Sequence, residues 1–96
     1  MSSIDDIREV LYTSKPELLT KFHVKNLAVF GSYARNEQRS DSDIDILVEF
    51  TEPVGIEFVD LANYLERLLG RRVDLVSRKG IKPKYFEKIK GDLQYV

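Results

Sequence analysis

The 96-residue chain has no cysteine, which excludes both disulfides and thiolate zinc sites. It also has no apolar run long enough for a membrane span or a signal peptide, so a cytoplasmic protein without membrane contact is expected. Histidine is nearly absent. The single one, His23, sits beside Phe22 ahead of a strand-like run and reads as a partly buried structural residue with no catalytic or metal role. There is no internal repeat, linker or low-complexity segment, and the length suits one small domain over residues 1–96. Such a domain can bury a core but has little surface left for a second function.

Charge is balanced in total and uneven along the chain. The formal net charge is -1, yet residues 1–66 hold 6 basic and 13 acidic residues while residues 67–90 hold 9 basic and 2 acidic. Arg71, Arg72, Arg78, Lys79, Lys82, Lys84, Lys88 and Lys90 have two readings at this level. They are either solvated residues of a loop and a last helix, or a surface facing triphosphate, an acidic partner or RNA held by a partner.

Hydrophobic periodicity supplies the elements. Val24 to Phe30 and Ile44 to Phe50 are short runs rich in β-formers, and Arg72 to Val76 is a third. Between the second and third, Ile56, Val59, Leu61, Tyr64, Leu65, Leu68 and Leu69 recur at helical spacing, with Gly70 at the helix end. This is a β-α-β unit, whose connection makes its two strands parallel. Ser2 or Ser3 can cap a first helix with an apolar stripe of Ile4, Ile7, Val10 and Leu11, and Lys15-Pro16 breaks it before a short second helix through about Phe22. Lys82-Pro83 opens a last helix that Gly91 ends, before a short terminal strand within Leu93 to Val96.

The polar residues at the strand ends carry the chemistry. Strand side chains repeat every second residue, so Asp43 and Asp45 emerge on one face, about 7 Å apart or less. Two carboxylates that close repel unless a cation lies between them, and magnesium is suited to one or two carboxylates completed by water and phosphate oxygens. Asp74 lies opposite the apolar pair Val73 and Leu75, and parallel strands bring it to the same sheet end as Asp43. For Gly31-Ser32, at the finish of the first strand, to reach that end, the first strand must run antiparallel to the second. A small mixed sheet flanked by helices, an α/β (α+β) fold, is expected. Gly31-Ser32 alone reads as an ordinary turn, and the acids alone as a solvated, turn-favouring cluster with an edge-strand charge. Their spacing together lifts both.

Val29-Phe30-Gly31-Ser32-Tyr33-Ala34-Arg35, followed by Ser40-Asp41-Ser42-Asp43-Ile44-Asp45 and later by Asp74, resembles the minimal nucleotidyltransferases of the DNA polymerase β-like superfamily. Four separated elements agree: G-S, a spacer of about ten residues, D-x-D and a third Asp on a later strand. Asn36 stands where many members carry Gly, and Asn tolerates left-handed backbone. The resemblance implies a nucleotidyltransferase fold and transfer of a nucleoside monophosphate from a triphosphate, ATP, to a hydroxyl. Asp43, Asp45 and Asp74 would be the catalytic residues and would hold two magnesium ions, with Asp74 nearest the acceptor. Gly31, Ser32 and the N–H groups of a following helix would meet the phosphates, with Arg35 as an additional contact.

Members with larger substrates add domains to grip the acceptor, so this chain is expected to borrow an acceptor surface from a partner or its own dimer, or else to bind a very small acceptor. Stand-alone members typically pair with a HEPN-domain toxin and act as its antitoxin by adenylylating it, characteristically on tyrosine. The other two readings are a non-catalytic antitoxin that covers its partner and a transferase acting on a small molecule or nucleic acid without a protein partner. Direct nucleic-acid binding is not expected.

Overall fold

The computed structural model describes residues 3–96. Helix α1 spans Ile4–Thr13 and starts at Ser3, whose Oγ accepts from the Asp6 N–H at 3.2 Å. That hydroxyl satisfies one of the amides a helix start leaves without a partner. Ser2, the other candidate cap, lies outside the described residues. Helix α2 follows over Lys15–Phe22 with a proline in its first turn, where the missing N–H costs nothing. It ends at His23, left-handed at φ 58°, whose N–H returns to the Leu18 carbonyl. The lone histidine is therefore a helix terminator, with Nδ1 3.1 Å from Glu52 Oε1.

Four strands make one sheet: β1 Val24–Phe30, β2 Ile44–Phe50, β3 Val73–Ser77 and β4 Gln94–Tyr95. Their order is β3-β2-β1-β4, with β1 antiparallel to both β2 and β4, and β2 parallel to β3. The expected mixed sheet and terminal strand are both present. Helix α3, Glu57–Leu69, connects β2 to β3 and is closed by Gly70 at φ 68°, whose N–H reaches the Glu66 carbonyl. Helix α4 covers Pro83–Ile89. Gly91 does not end it sharply, because a 3₁₀ turn over Lys90–Asp92 carries the chain across the glycine before β4.

Alternation along the strands sorts the residues onto two faces. Val29, Ile44, Ile46 and Val48 meet Ile7, Leu11, Leu18, Leu61 and Leu65 in the main core, beneath α1, α2 and α3. Phe30, Leu47 and Ile89 form a smaller cluster on the other face, which α4 partly covers. The helical stripe read for α3 is narrower than expected. Leu61, Leu65 and Leu69 are buried, whereas Ile56 and Val59 are 74% and 54% exposed: Ile56 lies ahead of the helix, and Val59, two residues from Leu61, faces away from the stripe that Phe58 continues.

Candidate active site

The second face carries the acids. In the ladder Asp45 stands opposite Phe30 on β1 and opposite Asp74 on β3, so two carboxylates neighbour each other across a parallel pair. Asp43 enters one residue before β2, and the next amide, Ile44 N–H, is tied to the Arg72 carbonyl at 2.9 Å. Partial burial, followed by the charges of Asp74 and Asp43 and a hydrogen bond with Asp74, raises the Asp45 carboxyl to about 6, against an opposing pull from Arg35. The site thus holds more negative charge than its surroundings neutralise.

Gly31 makes room for this arrangement. Its φ is 76°, and a Cβ built there would collide with Asp45 Oδ2 and come within 3.0 Å of Asp45 Cγ. Its immediate duty is to admit the Asp45 carboxylate, and a left-handed backbone lets it do so without strain. The helix expected after Ser32 is not formed. Residues 31–36 are consecutive turns, with Arg35 N–H donating to the Gly31 carbonyl at 3.1 Å and Glu37 N–H to the Ser32 carbonyl at 2.8 Å. Two features stop the helix after one turn: Tyr33 is drawn into the core at 1% exposure, and Asn36 is left-handed at φ 58°. Asn36 adopts the geometry that its side-chain type tolerates.

The basic residues fall into three groups. Arg35 is committed to the fold: Nε lies 3.0 Å from Glu37 Oε1 and Nη1 2.7 Å from Asp92 Oδ2, so the loop after β1 is fastened to the turn after α4. Arg71 and Arg72 brace the site, through Arg71 Nη1 donating to the Ser40 carbonyl at 2.7 Å and Arg72 Nε lying 3.2 Å from Asp43 Oδ1. Arg78 stacks over Phe86 at 3.9 Å, while Lys79, Lys82, Lys84 and Lys88 are exposed.

Sequence reasoning missed two residues here. Arg72 reads in sequence only as part of the basic segment, yet it meets Asp43. Tyr85, on α4, sets its ring edge-on to Phe30 with centroids 6.3 Å apart. Burial and then the charges of Asp45 and Asp74 raise its phenol above the ordinary value, so it lies within range of their charge. Its only sequence signal is an aromatic in the first turn after Pro83, and that does not say which sheet face α4 will cover.

Among the described residues no three acidic or imidazole side chains close into a finished metal cage. The donor set nevertheless suits a hard divalent cation: Asp45 and Asp74 offer adjacent carboxylate oxygens whose charges act against each other, and such ions take remaining ligands from water and phosphate. The acids occupy an open face. Three sizeable cavities lie elsewhere: an apolar one of about 410 Å³ between α2 and β1, one of about 510 Å³ beside α1 and Leu68, and one of about 560 Å³ at the opposite end of the β2–β3 pair, beside Phe50 and Ser77.

Residues 11–96 match the family model of the nucleotidyltransferase domain. The chain belongs to this family. A Methanocaldococcus jannaschii protein provisionally named a protein adenylyltransferase is 51% identical over 98 residues, covering 100% of both chains. Protein adenylyltransferase MntA of Thermococcus cleftensis is 42% identical over 97 residues, 100% of this chain and 98% of its own. A solved structure provisionally described as a minimal nucleotidyltransferase superposes with TM-score 0.74 at 36% identity, over 94% of this chain and 88% of the other. A toxin-antitoxin crystal structure with AMP-PNP gives TM-score 0.72 at 26% identity, over 86% and 69%. The MNT antitoxin in complex with a tri-AMPylated HEPN toxin of Shewanella oneidensis shares the fold, with TM-score 0.66 at 22% identity over 92% and 70%. This nucleotidyltransferase thus has the mixed sheet of its family, and no helix among its described residues is long and apolar enough to cross a membrane.

Proposed function

We propose that this nucleotidyltransferase moves AMP from ATP to a hydroxyl, foremost a tyrosine, of a HEPN-domain toxin and so serves as its antitoxin. The observation that carries the reading is the carboxylate pair Asp45 and Asp74, adjacent across β2 and β3 and reached by Gly31. Full-length similarity to relatives named for protein adenylylation, and a fold shared with antitoxins of HEPN toxins, support the acceptor class.

Asp43, Asp45 and Asp74 would hold magnesium, two ions in the fullest form of the site. When bound, such ions neutralise the triphosphate and clamp the attacking and leaving oxygens of an in-line displacement. The chain's own groups do the rest. Gly31 keeps Asp45 in place and, with Ser32, lets the backbone approach the phosphates. Arg72 leaves Asp43 for the triphosphate, while Arg35 reaches a phosphate only by giving up Glu37 or Asp92. Asp74 receives the proton of the acceptor hydroxyl, so its contribution falls in the transition state.

Mass spectrometry of a co-expressed HEPN partner after incubation with Mg-ATP tests this. The native chain is expected to add adenylyl mass to hydroxyl side chains of the partner, and Asp74→Asn to add none while still binding ATP and partner. Neutralisation by Asp74→Asn as complete as the native chain's at every ratio would contradict transfer and favour an antitoxin that acts by covering.

A further inference from the structure

The five tyrosines differ in what surrounds them. Tyr33 is buried in the core, and Tyr64 donates its hydroxyl to Glu17 Oε2 at 3.1 Å. Tyr12 is exposed on α1, under the opposite face, and Tyr95 lies near Glu49 and Arg78, beyond the acids. Tyr85 alone combines access with position. It is 40% exposed, its ring rests on Phe30, and Phe30 is the ladder partner of Asp45, itself the partner of Asp74. Tyr85 thus packs on the sheet face that carries the carboxylate pair, with part of its side chain open to solvent.

We propose that Tyr85 is a self-modification site: without a partner, the nucleotidyltransferase adenylylates its own Tyr85 hydroxyl, using a nucleoside triphosphate as donor. The inference rests on the transfer reading above. In the step, Tyr85 Oη forms a bond to the α-phosphorus, and the bond from that phosphorus to the bridging oxygen breaks. Pyrophosphate leaves with the electron pair, and the phenolic proton passes to a carboxylate of the site or to water. The product is a phosphodiester that fills the space an incoming acceptor needs. Self-modification therefore silences a chain that has no partner, and a bound partner prevents it by taking the same position.

The test uses the purified full chain. With Mg-ATP alone, intact mass is expected to rise by one adenylyl group, with peptide mapping placing it on Tyr85. Tyr85→Phe keeps the ring on Phe30 and is expected to lose the label to background with an unchanged melting temperature. A second readout needs no turnover: manganese in place of magnesium should broaden the Tyr85 ring resonances more than those of Tyr12, Tyr64 or Tyr95. Label elsewhere, label retained in Tyr85→Phe, or equal broadening overturns the inference. Magnesium-dependent ATP binding by calorimetry separates the failures. Binding without self-label sinks the inference and leaves the transfer reading standing, whereas no magnesium-dependent binding sinks both.

Discussion

The two faces of the sheet are built on opposite terms. Under α1, α2 and α3 the strands present Val29, Ile44, Ile46 and Val48 to a wholly apolar core. The other face has one short helix, a small cluster around Phe30, Leu47 and Ile89, and beside it carboxylates that repel each other. Burial stabilises the first face, at about 1.5–3 kcal/mol for each fully buried large aliphatic side chain. Asp45 destabilises the second in the metal-free chain. The contrast separates what holds the molecule together from what it holds ready for a ligand, and substitutions on the two faces should separate in the same way.

The largest effect is expected under the helices. Leu65 is fully buried between α3 and the sheet, and Leu65→Ala should cost about 2–5 kcal/mol by lost transfer energy and a residual cavity. Chemical denaturation would measure it, and ATP affinity of the molecules still folded should be unaltered. Gly31→Ala comes next, because it touches both faces' logic at once. A left-handed alanine costs about 1–2 kcal/mol, and its Cβ must displace the Asp45 carboxylate. Calorimetry should then find magnesium-dependent ATP binding lost in a chain that still melts cooperatively. A Gly31→Ala variant with native binding would mean that Asp45 has no fixed place in the site.

Asp45→Asn is smaller in energy and opposite in sign. Partial burial and the neighbouring carboxylates push the Asp45 carboxyl up to about 6 in the folded chain, from the usual 3.8 of an aspartate. The folded state therefore binds the extra proton between those values, and stability falls as pH rises through that window, remaining low above it. Allowing for solvent screening, the loss is on the order of 1–2 kcal/mol. Replacing Asp45 by Asn should return it at neutral pH without metal, raising the denaturation midpoint while magnesium-dependent ATP binding disappears. Destabilisation at neutral pH would show that the carboxylate is held by contacts rather than strained by them.

Much of this division is legible in the sequence. Two-residue alternation puts Asp43, Asp45 and Asp74 on one face, and the β-α-β connection fixes the parallel pair that makes Asp45 and Asp74 neighbours. Gly31 is visible as a glycine at a strand end, though its reason lies in a contact 14 positions away, with Asp45, which no local pattern encodes. The residues after Ser32 read as a helix in sequence and fold as turns, because the pull of buried Tyr33 is tertiary. The same is true of Arg35, whose partner Asp92 lies across the fold, and of Tyr85, which reaches the acids only because α4 packs on Phe30. Ile56 and Val59 are apolar yet exposed, since Ile56 precedes α3 and Val59 points away from the Leu61, Leu65 and Leu69 stripe, so residue type alone overstated the buried face.

Under the proposed function, Asp45 and its neighbours form an acidic site awaiting a divalent cation and its nucleotide. The direct measurement is the carboxyl titration of Asp45, followed by NMR of the labelled chain with and without magnesium and ATP. Without metal its midpoint is expected near pH 6. Magnesium with ATP should drive it below the range in which the chain stays folded, because a bound cation favours the ionised form. A midpoint that stays near pH 6 with saturating magnesium and ATP would contradict the claim.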